Sequence, residues 1–327
     1  MLQRLVAVLR QVGAGLLHNT YGSCSGDPIA WEHDFLRRQA EERGGPPVAG
    51  PRRSPPPPDQ TPRASRRASR LLAVILVLGT ASAAFAQRLF FGGEGRDPQV
   101  VNLPYDGRFT FARLKYTTAP GGYWYQGLPS WAHGYPLSED NLMRIMNEIS
   151  LIGAHVEGFN VFSLDDDQLM RYPLAYLTEA GWWTLNEREA QAFRRYLLKG
   201  GFAIIDDFKV AGTYGMGGGG WDAFEENMTR VMPGARFVDM PLSHPIFHSF
   251  FEIESLDDFP QAYNAGPPIF RGLFEDNDPK KRLMMIVNYN TDISQYWEWS
   301  GRGFRPFDET NEAYKLGVNY VVYGLTH

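Results

Sequence analysis

Residues 88–327 read as a single exported α/β domain, a doubly wound and mostly parallel sheet with helices on both faces. Three observations predict this class. Helical periodicity alternates with short apolar runs, several of those runs show no polar alternation, and no linker or repeat interrupts the stretch. Strands buried on both faces of a parallel sheet have that continuous apolar character, and amphipathic helices supply the cover.

The elements follow in order. Residues 108–117 (RFTFARLKYT) are rich in aromatic and β-branched side chains and predict a first strand. Leu142, Ile145, Met146, Ile149 and Ile152 recur at helical spacing behind Ser138, and Gly153 ends the pattern, so a capped amphipathic helix is expected. Residues 156–164 (VEGFNVFSL) predict a second strand and residues 174–177 a short third. Thr184 and Glu187 fit a capping box for a helix reaching Lys199, with Gly200-Gly201 as its stop. The run FAII at 202–205 predicts a buried strand that delivers Asp206 and Asp207. A helix over 221–231, strands over 236–240 and 282–288 (RLMMIVN), a helix over 311–316 and a last strand over 318–323 (VNYVVY) complete the expectation.

The 327 residues include 32 Lys plus Arg, 37 Asp plus Glu and a single Cys, for a net charge of −5. One Cys excludes an intrachain disulfide framework and any multi-cysteine metal site. The acidic balance argues against a general nucleic-acid binder, which carries a basic face. The charge is unevenly spread. Residues 1–87 hold 11 Arg, no Lys and 6 acidic residues, a net of +5, which leaves residues 88–327 at −10. Residues 1–65 are Arg- and Pro-rich, predict a disordered extension, and read as a start site placed too early. Residues 71–86 (LLAVILVLGTASAAFA) carry no charge, follow Arg66, Arg67 and Arg70, and end in Ala84-Phe85-Ala86. That order of basic, apolar and small-x-small segments makes 66–86 an export signal cleaved between Ala86 and Gln87, or an uncleaved membrane anchor. Membrane contact is expected only through 71–86 if that segment stays uncleaved, and the protein is expected to be periplasmic or membrane-anchored facing the periplasm or exterior.

Several separated motifs carry a family resemblance. Arg171-Tyr172-Pro173, the run YLLKGGFAIIDDF at 196–208, His244-Pro245-Ile246-Phe247, Asn288-Tyr289-Asn290 with Asp292, and LGVNYVVY at 316–323 resemble the bacterial domain of unknown function 4159. The resemblance implies a flavodoxin-like sheet related to the glutamine-amidotransferase-like superfamily, in exported or membrane-tethered proteins, and it implies no established activity. An amidotransferase needs an activated Cys nucleophile. The one Cys is Cys24, ahead of the export signal, and no G-x-S-x-G elbow occurs.

Asp206 and Asp207 are the leading site candidates, because ligands of open α/β sheets bind outside the carboxyl ends of the strands. Asp207 is the candidate catalytic base. Strand geometry would aim only one of the two into a given pocket. Asn288, Asn290 and Asp292 alternate after a buried strand, and their oxygens suit a hard divalent cation or ordinary Asx turns. Asp207 and Asp292 are therefore the candidate metal ligands and a divalent cation the candidate cofactor. His244 is, with Asp206, Asp207, Asn290 and Asp292, a ligand-binding candidate, although Pro245 stops H-x-x-x-H from forming one helical metal face and a hydrogen-bonded structural His is the leading reading there. His133 and His155 have no partners in sequence. Residues 212–220 (GTYGMGGGG) match no phosphate-loop spacing and read as a flexible insertion, and Asp165-Asp166-Asp167 reads as a solvated loop.

Residues 88–327 hold 41 of the 45 aromatic residues, clustered at Tyr123-Trp124-Tyr125, Trp131, Trp182-Trp183 and Tyr296-Trp297-Trp299. Packing is the leading reading, and stacking on the sugar rings of an envelope glycan the alternative. The expectation that follows is an exported envelope module that binds a protein or glycan partner. The alternative is a hydrolase of an envelope glycan or peptide working through carboxylates.

Overall fold

The computed structural model describes residues 97–124, 127–208, 220–257, 259 and 267–327. The Arg- and Pro-rich extension, the export signal with its Ala86–Gln87 junction, Tyr125 and residues 212–219 of the glycine-rich stretch lie outside the described residues. Among the described residues, no helix is long and apolar enough to cross a membrane.

The strands are β1 (Ala112–Lys115), β2 (Thr117–Thr118), β3 (Asn160–Ser163), β4 (Leu174–Thr178), β5 (Trp183–Thr184), β6 (Phe202–Phe208), β7 (Phe237–Asp239), β8 (Ile269–Phe274) and β9 (Leu283–Tyr289). The α-helices are α1 (Leu137–Ile149), α2 (Glu187–Leu198), α3 (Trp221–Val231), α4 (Ile293–Glu298) and α5 (Phe307–Thr326). One seven-stranded sheet has the order β3-β1-β4-β6-β9-β8-β7, and β2 pairs β5 in a two-stranded ribbon. The pairs β3–β1, β1–β4, β4–β6 and β6–β9 are parallel, whereas β8 runs antiparallel to both β9 and β7. The chain is thus α/β with a mixed, mostly parallel sheet.

The antiparallel edge has a local cause. Only residues 275–282 join β8 to β9, too few for the crossover that parallel strands need, and Asp276 and Asn277 turn the chain with φ of 56° each. Asn277 ties that turn down by accepting from the Arg236 amide and donating to the Gly234 carbonyl.

Side chains alternate between two apolar layers, as the strand period requires. Tyr176, Ile204 and Ile286 pack with Leu142, Met146, Trp297, Leu316 and Tyr320 from α1, α4 and α5. Ala175, Leu177, Ala203, Ile205, Met285 and Val287 pack with Phe193, Leu197, Phe224 and Met228 from α2 and α3.

Three local expectations are corrected. Ser138 does not cap α1. Pro136 holds that position, and Ser138 is buried in the first turn, donating to the Gly134 carbonyl and the Glu139 carboxylate. The capping box of α2 uses Asn186 and Glu189 instead of Thr184 and Glu187, because Thr184 belongs to β5 and donates to the Thr117 carbonyl. The predicted last strand over 318–323 is the interior of the 20-residue helix α5. Helix-propensity deficits there stay below about 0.7 kcal/mol per residue, while burying one large apolar side chain is worth roughly 1.5–3 kcal/mol. Leu316, Val318, Tyr320 and Val321 are all fully buried, so packing decides the conformation.

Candidate functional site

Three neighbouring strands end in the same unusual backbone state. Glu179 follows β4 with φ of 49°, Asn290 follows β9 with φ of 59°, and Asp207 lies inside β6 with φ of 54°. Left-handed backbone is uncommon for residues other than glycine, and such residues gather at functional sites. At Asp207 it coincides with a shift of register: Ile205 pairs Val287, but Phe208 pairs Tyr289, so β6 holds one extra residue. A bulge of that kind re-aims a side chain. It resolves the Asp206-Asp207 pair, because the two carboxylates now meet different partners.

Asp207 Oδ2 lies 3.0 Å from His133 Nδ1 and 3.5 Å from the Thr178 hydroxyl, which donates to it. His133 Nδ1 also lies 2.9 Å from Glu179 Oε1. Both neighbours are acceptors, so Nδ1 carries the proton; it donates to Asp207 and forms an ion pair with Glu179. Burial opposes charging the ring, but the hydrogen bonds and charges of Asp207 and Glu179 outweigh it and hold the His133 pKa well above the ordinary range. Trp124 completes the clamp. Its indole stacks on His133 with ring centres 4.4 Å apart, and its Nε1–H donates to Glu179 Oε1 at 2.6 Å. Trp124 is 39% exposed and stands beside two buried carboxylates.

Arg113 fixes the turn that carries His133. It is fully buried and donates to the carbonyls of Trp131 and His133 at 2.9 Å each, to Ser138, and to Glu139 in a close ion pair. Its guanidinium also lies over the Tyr176 ring at 5.1 Å. Tyr116, just past β1, donates to the carbonyls of Thr178 and Glu179 and so holds the end of β4.

Asp206 points the other way, into a closed network. It accepts from the Tyr176 hydroxyl, the Asn288 amide and the backbone amides of Ile293 and Ser294. Tyr320 on α5 in turn donates to Asn288 Oδ1 at 2.7 Å. Burial, then the Asp292 charge, raise the Asp206 pKa, against the donors Asn288 and Tyr176. Asp292 caps α4, its Oδ1 accepting from the Ser294 hydroxyl and the Gln295 amide. Its Oδ2 is buried without a hydrogen-bond partner among the described residues. Burial and then the Asp207 charge push the Asp292 pKa up to about 6, with His133 pulling it down. Glu298 Oε2 is a second buried oxygen without such a partner, and burial raises the pKa of that carboxyl too.

Of the residues singled out by sequence, Asp206, Asp207, Asn290 and Asp292 therefore collect at the carboxyl ends of β6 and β9. Asn290 donates to the Pro267 carbonyl. His244 does not join them. Its ring packs against Phe274 and Tyr323, and Tyr323 touches Phe202 at the start of β6, so His244 sits at the opposite end of the strands. There its Nδ1 accepts from the Ile246 amide, and burial lowers its pKa. His133 and Glu179 are the central residues that sequence spacing does not reveal. The nearest signal is the placement of His133 in the aromatic, glycine-containing loop and of Glu179 directly after an apolar run. Most aromatic clusters are packing, since Trp131, Trp183, Tyr296 and Trp297 are buried, while Tyr123 and Trp124 are exposed. Asp165 pairs with Arg188, and Asp166 caps a short 3₁₀ turn.

His133, Glu179 and Asp207 each offer one ligand atom, and these three atoms lie within 4.8 Å of one another. A comparison with curated proteins finds no match. The model of one family, described as "Domain of unknown function (DUF4159)", matches residues 110–325, and with that span covered the chain belongs to the DUF4159 family.

Proposed function

We propose that this chain is an exported cell-envelope module that binds a glycan at the carboxyl ends of its strands, on a flavodoxin-like, doubly wound sheet. The strand order supports the fold reading: numbered among themselves, the five parallel strands run 2-1-3-4-5. In sheets of that order the ligand crevice opens where the winding reverses, here between β1 and β4. His133, Tyr116 and Glu179 all stand at that boundary. The resemblance to amidotransferase-like proteins concerns the scaffold alone, since residues 88–327 contain no Cys.

The observation that carries the glycan reading is the exposed indole of Trp124 stacked beside His133 and bonded to Glu179. Aromatic faces stack on the apolar faces of sugar rings, and carboxylates accept from sugar hydroxyls. Export rests on the signal pattern of residues 66–86. The test is co-sedimentation of the full-length protein with purified bacterial peptidoglycan. Wild-type protein should pellet with the glycan and Trp124→Ala should stay in the supernatant; equal pelleting of the two would refute the reading.

Hydrolysis is the second reading, favoured by the position of Asp207 at a strained bulge with His133 at hydrogen-bond distance. A carboxylate–imidazole pair can relay a proton. Release of new reducing ends from the same glycan, lost in Asp207→Asn, would establish it in place of simple binding.

A further inference from the structure

We infer that His133 Nδ1, Glu179 Oε1 and Asp207 Oδ2 form a binding site for one divalent transition-metal cation, with Asp292 and Glu298 as the carboxylates behind it. The inference rests on the proposed ligand crevice and supplies its chemistry.

The geometry is already close to a ligand set. Nδ1 is 2.9 Å from one carboxylate oxygen and 3.0 Å from the other. Ligands about 2.1 Å from a cation lie about 3.0 Å apart at octahedral cis positions and about 3.4 Å apart in a tetrahedron. Both nitrogen–oxygen separations therefore match the spacing of neighbouring ligands on one cation, and the two oxygens lie within 4.8 Å of each other. The three groups come from three different segments, and each is held by others. Arg113 fixes the His133 carbonyl, Trp124 and Tyr116 hold Glu179, and the β6 bulge aims Asp207.

A second observation points to a cation independently. Asp292 is fully buried, its Oδ1 is occupied by two donors, and its Oδ2 has no hydrogen-bond partner among the described residues. Burying a charged oxygen without a partner is costly. The segment that carries Asp292 packs on β6 beside Asp207, since the amides of Ile293 and Ser294 donate to the adjacent Asp206. Glu298 Oε2, likewise without a hydrogen-bond partner among the described residues, approaches Gly134: a Cβ on that glycine would stand 3.5 Å from it. Neither Asp206, Asp292 nor Glu298 ion-pairs with a Lys or Arg among the described residues, and the nearby Arg113 is engaged by Glu139. Among the described residues, buried carboxyl groups thus gather around one imidazole, a ligand balance that suits a divalent ion.

One imidazole nitrogen with carboxylate oxygens and no thiolate suits Zn²⁺ or Mn²⁺. The His155 cluster provides a contrast. Its partners Asp106 and Glu157 are about half exposed, so water already satisfies them.

Full-length protein stripped with a chelator and titrated with Mn²⁺ or Zn²⁺ by calorimetry tests the site, with loss of the free Mn²⁺ paramagnetic signal as a second readout. One cation per chain is expected, weakened at least tenfold in Glu179→Gln and in Asp207→Asn and unchanged in His155→Gln. The two isosteric variants lie in different segments, one just after β4 and one in β6, so failure of one to fold leaves the other as the test. Absence of stoichiometric binding of either metal, or wild-type affinity in both variants, overturns the inference. Peptidoglycan co-sedimentation of the same preparations separates the two readings. Cation binding without glycan binding supports this site and refutes the glycan module, whereas glycan binding by a chain that takes up neither metal does the reverse.

Discussion

His133 Nδ1 lies 3.0 Å from Asp207 Oδ2, although 74 residues separate them in the chain. The contact joins the turn held by Arg113 to the bulge in β6, and Glu179 from the end of β4 closes on the same nitrogen. Each member depends on a different piece of the fold, so their roles can be separated by substitution.

The two adjacent aspartates should behave differently. Asp207→Asn keeps a side chain that tolerates left-handed backbone and should cost less stability than the Asp206 substitution, while abolishing glycan co-sedimentation. Asp206→Ala strips the acceptor from Tyr176, Asn288 and two backbone amides. With about 1–3 kcal/mol for each buried donor left unsatisfied, it should lower unfolding stability by several kcal/mol. Urea unfolding of both variants checks this, and equal losses would contradict it.

Asp292→Asn should stabilise the cation-free protein, and more so at high pH. The folded pKa of Asp292 is raised to about 6 from 3.8. An acid with a raised folded pKa contributes stability that is complete below pH 3.8 and is lost as the pH climbs through about 6. Asn caps a helix as well as Asp does, so the variant should match wild type near pH 4 and exceed it by roughly 1–3 kcal/mol at pH 8. Thermal unfolding across that range, with chelator present, measures the difference.

Arg113→Met should be strongly destabilising, by about 3–5 kcal/mol, because it leaves Glu139 buried and unpaired. Adding Glu139→Gln should recover part of the loss. A double-mutant cycle in urea would show non-additivity, and simple additivity would mean the pair is not coupled.

Gly317→Ala should cost about 1–3 kcal/mol in α5, although Ala is the better helix former by about 1 kcal/mol. The new Cβ would lie 2.4 Å from Cζ2 of Trp297, a buried ring pinned by donating to the Ala313 carbonyl. A combined Gly317→Ala, Trp297→Phe variant should relieve the clash, and its unfolding midpoint reads the relief.

What could be read from the sequence has a common origin. The helix at 221–231, the apolar runs of β4, β6 and β9 and the glycine stop after α2 are all set by residues a few positions apart. Asp206 and Asp207, which directly follow a buried run, and Asp292, a few residues beyond another, were readable as strand-end carboxylates for the same reason. The absence of Cys from residues 88–327 is likewise a property of composition, read without any structure. Tertiary structure decided the rest. The β-branched run at 318–323 is helical because a helix there buries Val318, Tyr320 and Val321 against the sheet. His244 is remote because its segment packs at the starting ends of the strands. His133 and Glu179 become the centre of the site only when β1, β4 and β6 pair side by side and the bulge turns Asp207 toward them. Local periodicity reports how each segment is buried, whereas a site assembled from three segments depends on strand order and register, which no single segment encodes.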